Sequence, residues 1–263
     1  MKKWFVLGFL FCFMDAVCQQ PGIVAAEINS VPLVADTFLG YDSLGAMYSL
    51  TNNVLTKQTD TQNWQYKNPI LGKITKVDLL NPLKIVVFFQ NFNTVVLLDN
   101  QLNETQKINL SDNINPILPF AVGLASANRL WIYDSLSQKV GLYDYAKRDF
   151  QTLTVPFVGN VRYYESNFNY FAWTDDRGNA FRCDVYGKIS ALGTMPKNNQ
   201  FRWVSDSILI YKKDDQLYVY DFNGNKSTFI EITKKTFKNF TYKDQILSIF
   251  TDHGITNYKI TIP

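Results

Sequence analysis

The chain has 263 residues, 46% of them hydrophobic and 15% aromatic, with only 19% charged. That apolar content excludes a disordered or low-complexity protein, because such chains lack the surface whose burial offsets backbone ordering. A formal charge of +3, from 26 basic and 23 acidic residues, is too small for a general nucleic-acid binder, and no nucleic-acid partner is expected.

The chain opens with Lys2 and Lys3 ahead of an apolar run, Phe5 to Met14, too short to cross a ~30 Å hydrocarbon layer as a helix. It reads as a secretory signal. Residues 1–18 are expected to be that signal, ending at Ala16-Val17-Cys18, and 19–263 a single domain. Cys18 is alternatively the lipidated N-terminus of a lipoprotein, although Asp15 and Val17 depart from the aliphatic and small residues such a site prefers. Either route predicts export to the periplasm or outer envelope. No later stretch is long enough for a transmembrane helix. Cys183 is the one cysteine surely in the mature chain, so no intramolecular disulfide is expected there, and its setting in FRCDVYG reads as that of a small packed hydrophobe.

A repeat runs through the rest. MYSLTNNVLTKQTD, from Met47, begins it, followed by VVFFQNFNTVVLLDNQLNETQKINL from Val86, LWIYDSLSQKVGLYDYAKRDFQTLTV from Leu130, FAWTDDRGNAFRCDVYGKISALG from Phe171 and LIYKKDDQLYVYDFNGNKSTFIEI from Leu209. ILSIFTDHGITNYKITIP closes the series. Each full copy holds an apolar strand, a polar turn, a second strand ending in Asp, another turn and a third strand. The recurrent acids are Asp60, Asp99, Asp144, Asp184 and Asp221. A further strand precedes each hairpin, at Thr37, Lys73, Phe120, Asn160, Gln200 and Phe237. Six units of four strands at about 41 residues each match a propeller blade of ~40–45 residues. The sixth unit runs out of chain after its third strand, so GIVAAEINSV, from Gly22, is expected to pair with NYKITI and close the ring, leaving no open sheet edge there. The fold expected is an all-β, six-bladed β-propeller of four-stranded antiparallel blades.

The YVYDFNGN type of strand and turn, at Tyr218–Asn225, resembles that of secreted bacterial β-propellers of the quinoprotein-like and related repeat class. The resemblance implies export and a propeller. It does not extend to WD repeats, since no blade ends in Trp-Asp and the Gly-His signature is absent. Nor does it bring the quinoprotein cofactor, because the tryptophan-docking pattern is missing; no cofactor is expected.

The repeated Asp residues are expected to cap turns by accepting from backbone N–H groups. His253 is the sole histidine, which removes most catalytic and zinc arrangements and favours a non-catalytic protein; no catalytic or metal-binding residue is assigned. In the innermost strands a basic residue recurs after an apolar one: Lys76, Arg162, Arg202 and Lys238, with Tyr163 and Trp203 beside two of them. Turned toward the axis, these six would form a site for an anionic ligand; turned otherwise, the basic residues would pair with acids such as Asp78, Glu165 or Asp206. The sequence thus predicts a monomeric exported binding or scaffold module for a protein, peptide or glycan of the cell envelope. The alternative is a small propeller enzyme or ligand carrier with an anionic ligand at the central channel.

Overall fold

The structure is a computed structural model that describes residues 22–262 apart from 158, 199, 234 and 235. The expected signal and Cys18 lie outside the described residues.

Six antiparallel sheets follow one another in chain order. Blade one comprises Thr37–Tyr41, Met47–Thr51, Val54–Gln58 and Asn63–Tyr66; blade two Lys76–Asp78, Ile85–Phe89, Thr94–Leu98 and Glu104–Asn109. Blade three comprises Pro119–Leu124, Arg129–Asp134, Lys139–Asp144 and Asp149–Thr152; blade four Val161–Ser166, Tyr170–Asp175, Asn179–Asp184 and Ile189–Thr194. Blade five comprises Gln200–Trp203, Ile208–Lys213, Gln216–Asp221 and Lys226–Glu231. Blade six takes Asn239–Lys243, Ile246–Thr251 and Gly254–Lys259 from the end of the chain and Ala26–Val31 from its beginning. The register runs from Ala26 opposite Lys259 to Val31 opposite Ile255, so the expected closure is found. One pairing was not foreseen: Ile23–Val24 adds a parallel fifth strand to blade five, beside Lys226–Glu231.

Both faces of a blade pack on neighbours, so its middle strands are apolar without alternation. Ile85–Phe89 and Thr94–Leu98 are buried throughout, whereas outermost strands such as Glu104–Asn109 alternate toward water. The core accordingly divides into six clusters, one per interface between blades. Each fully buried Ile or Phe adds roughly 1.5–3 kcal/mol. The cluster between blades six and one is the smallest, with Phe38, Met47, Phe250 and Ile255 at its centre. Polar contacts supplement it: Asn239 Nδ2 donates to the Phe38 carbonyl at 2.8 Å, and Asn257 Nδ2 donates to Asn29 Oδ1 at 2.8 Å and to the Tyr41 hydroxyl at 3.3 Å.

The turns follow their residues. Asn52-Asn53, Asp214-Asp215 and Asp244-Gln245 adopt positive φ in pairs, as two-residue hairpins require. Asp99, Asp144, Asp184 and Asp221 each accept from backbone N–H groups two to four residues on. In blade one that position belongs to Thr59, whose hydroxyl accepts from the Gln62 N–H, and Asp60 falls one residue beyond it. At Gly254, φ is +130° and a Cβ would lie 2.8 Å from the Leu33 nitrogen, so the N-terminal strand can leave blade six only past a glycine.

Removing residues 19–31 should therefore leave blade six with an unpaired edge and lower the melting temperature by about 10 °C or more. Calorimetry on the shortened chain checks this, and an unchanged transition would count against closure.

Candidate functional site

The four basic residues do not share one environment. Lys76, in blade two, donates from Nζ to the Tyr164 carbonyl of blade four at 3.1 Å. Residues of non-adjacent blades meet only across the middle of the ring, so this contact marks the axis. The ammonium also lies 4.3 Å from the centre of the Tyr164 ring and 5.7 Å from that of Tyr163. Arg202 of blade five reaches the same group: its Nη1 donates to the Tyr163 hydroxyl and to the Phe201 carbonyl, and it stands 3.5 Å from Glu165 Oε1. Glu165 further accepts from the Tyr163 hydroxyl at 2.7 Å and from the Trp203 N–H at 3.1 Å. Asp78 accepts from the Leu80 N–H and, across to blade three, from the Leu124 N–H, both at 2.8 Å. Two cations and two carboxylates thus meet at the centre, formally in balance.

Burial sets their proton affinities. Loss of hydration holds the Lys76 ammonium below its ordinary pKa, against the pull of Glu165 and Asp78. The same loss raises Asp78, although its backbone donors and Lys76 oppose it. Burial raises Tyr163 well above its usual value. For Arg202 burial acts downward, but the Tyr163 oxygen and Glu165 outweigh it and the net shift is upward.

The other candidates are placed elsewhere. Arg162 is exposed and sits at an irregularity in the register between Val161 and Tyr163. Trp203 stacks on Phe222 with ring centres 5.6 Å apart, in the layer between blades four and five. Lys238 lies at the rim, 2.8 Å from Asp252. Asp206, one of the acids offered as a partner for the basic residues, instead pairs with Arg182. Sequence reading also missed Lys57, buried in blade one, which donates to the Asn100 carbonyl at 2.8 Å, lies 3.7 Å from Asp42 and sits near the rings of Tyr48 and Trp64. Nothing in its local sequence signals this, because Asn100 belongs to the next blade.

Among the described residues, the histidine, the cysteine and metal-ligating groups are not gathered. His253 is exposed at the tip of the blade-six hairpin, where its N–H donates to Thr251 Oγ1. Burial, with Asp184 adding, pushes the Cys183 thiol up to about 12, so it is inert as a nucleophile at neutral pH. Among the described residues no trio of His, Cys, Asp or Glu is placed to hold a metal ion.

Two outcomes test the axial cluster. Gly123 lets blades three and four approach: an added Cβ would overlap the Ser166 hydroxyl and come within 3.4 Å of Asp78 Oδ2. Gly123→Ala should cost about 1–3 kcal/mol, and pairing it with Ser166→Ala should recover part of that in denaturant titrations. Asp78 gives a pH signature. Because its folded pKa is raised, it stabilises most below its unfolded value of 3.8 and loses stability as pH rises from there to the folded pKa. The melting temperature of the wild type relative to Asp78→Asn should fall between acid and neutral pH, and a difference that grows instead would contradict the assignment.

No family model matches the chain, and no curated protein matches it by sequence. Solved structures do resemble it. Virginiamycin B lyase from Staphylococcus aureus is 14% identical with a TM-score of 0.58, over 84% of this chain and 79% of that one. A streptogramin B lyase is 16% identical with a TM-score of 0.56, over 85% and 78%. The extracellular domain of a one-component system from B. thetaiotaomicron is 13% identical with a TM-score of 0.50, over 90% of this chain and 40% of that one. At these identities the likeness is one of fold, and the chain is a six-bladed β-propeller.

Proposed function

We propose that the chain is an exported, non-catalytic β-propeller that acts as a binding or scaffold module in the cell envelope and engages a protein partner. The observation that carries this reading is the uneven distribution of side chains over one face. In each blade the hairpin between second and third strands and the connection between consecutive blades emerge on the same side. Over blades one to three and their flanking connections, that side exposes Val34, Ile70, Phe92, Ile114, Leu136 and Val155, with Ile114 fully exposed and Val34 92% exposed. The hairpin tips there hold Asn52, Asn53, Asn91 and Asn93. Over blades four to six the corresponding tips carry exposed Asp176, Asp214, Asp215 and Asp252. Several large aliphatic side chains held in water beside amides suit an apolar protein surface with a polar rim. Lys2, Lys3 and the apolar run after them support export, with cleavage or lipidation at Cys18, and a similar propeller is an extracellular domain.

Enzymes share this fold, including the two lyases, but a fold carries no activity by itself. The placement of His253 at an outer tip, away from Glu165 and Arg202, supports the non-catalytic reading.

Capture of envelope proteins on immobilised residues 19–263 tests it. Wild type and an Asp176→Ala, Asp215→Ala control should retain the same partner, and an Ile70→Asp, Leu136→Asp variant should lose it about tenfold or more, with little change in melting temperature since both sites are exposed. Equal retention by the apolar-half variant would overturn this reading.

A further inference from the structure

Blades three and four repeat the same local geometry at their first strands. In blade three Pro119 faces Asp134 and Ala121 faces Tyr133, leaving Phe120 as the extra residue at the irregularity. In blade four Val161 faces Asp175 and Tyr163 faces Thr174, leaving Arg162 extra. Arg162 is therefore the counterpart of Phe120, and Thr174 that of Tyr133. The two aromatic residues do work that their counterparts cannot. Phe120 meets Tyr133 edge-on at 6.3 Å, Tyr133 stacks on Phe157 at 5.2 Å, and Phe157 stacks on Trp173 at 4.9 Å, which closes the interface between blades three and four.

Between blades four and five, Arg and Thr stand in place of that aromatic plug, and a hollow of about 240 Å³ results. Its apolar lining comes from Met195, Phe201 and Tyr163, and its polar lining includes Arg162, Thr174 and Asp175. Asp175 is already committed, accepting from the Arg177 N–H at 3.0 Å, the Asn179 N–H at 2.7 Å and Asn179 Nδ2 at 2.8 Å. Arg162 is not: among the described residues it joins no ion pair. A bulged position re-aims its side chain out of the ladder, and a guanidinium there presents a planar fork to a carboxylate.

We propose that this hollow is a binding site for a small organic carboxylate, with Arg162 holding the carboxylate and Phe201, Met195 and the Tyr163 ring receiving the apolar part. The site lies between blades four and five, apart from the apolar half-face, so it stands or falls independently of the docking reading. Of the six residues singled out in the sequence, it uses Arg162 and Tyr163. Lys76 is hydrogen-bonded to the Tyr164 carbonyl and Arg202 is paired with Glu165 at the axis, Lys238 is paired at the rim, and Trp203 is packed against Phe222.

The probe is benzoate, with neutral benzamide as its isostere, followed by calorimetry or amide chemical shifts on the mature chain. Benzoate should bind the wild type, benzamide about tenfold or more weakly, and Arg162→Gln should weaken benzoate by a similar factor. Arg162 is exposed, so that variant should fold normally. Thr174→Tyr, which restores the residue that blade three uses, should fill the hollow and abolish binding. No benzoate binding to the wild type, equal binding of benzamide, or unchanged binding to Arg162→Gln or to a folded Thr174→Tyr would each overturn the proposal.

Discussion

The structure depends on the ladder that joins the two ends of the chain. Each blade is a sheet with two packed faces, and its middle strands are apolar on both, so a blade on its own would expose both apolar faces. The arrangement is stable only when every blade has two neighbours, which an open row cannot provide for its first and last members. Pairing Ala26–Val31 with Gly254–Lys259 makes the last blade out of the first residues, so separating the interface between blades six and one also requires a broken ladder. That device compensates for the smallest apolar cluster in the ring. Ile23–Val24 extends the clasp by adding to blade five, which places the entering chain across two blades.

A ring of six blades brings its first strands close together, and the centre is where charge becomes costly. Two charges 4 Å apart interact by about 4 kcal/mol at an effective dielectric near 20, so cations converging there need offsetting groups. Glu165 stands 3.5 Å from Arg202, and the Tyr164 carbonyl takes the Lys76 ammonium at 3.1 Å. Contacts of this kind bridge blades two, three, four and five through side chains that come from different repeats. The centre is a polar cluster in which Arg202 is paired with Glu165 and Lys76 is hydrogen-bonded to a backbone carbonyl.

Function in such a repeat is written in the departures from it. The scaffold asks for a hairpin turn at each second-to-third strand connection and is indifferent to whether Asn, Leu or Asp occupies its tip. That freedom permits one half of a face to become apolar and the other charged. Likewise the irregularity that admits Phe120 in blade three admits Arg162 in blade four, and exchanging an aromatic pair for Arg and Thr turns a sealed interface into a hollow.

The architecture was legible because blade strands carry their burial in their own composition. Runs such as IVVFF and TVVLL, the capping Asp99, Asp144, Asp184 and Asp221, and a final unit one strand short together determined six blades and the closure. The site was less legible, for a physical reason. The direction of a strand side chain reverses with a shift of one residue, and the irregularity between Val161 and Tyr163 is such a shift, invisible in a pattern of apolar and polar letters. Lys76, Arg162, Arg202 and Lys238 look equivalent in sequence, and their partners come from other blades: Tyr164 for Lys76 and Glu165 for Arg202. Sequence by itself determined which segments form strands and how many blades they make, since those depend on local burial patterns. Only the tertiary structure decided which basic side chain is neutralised and which is left free, because that depends on distances between residues the chain keeps far apart.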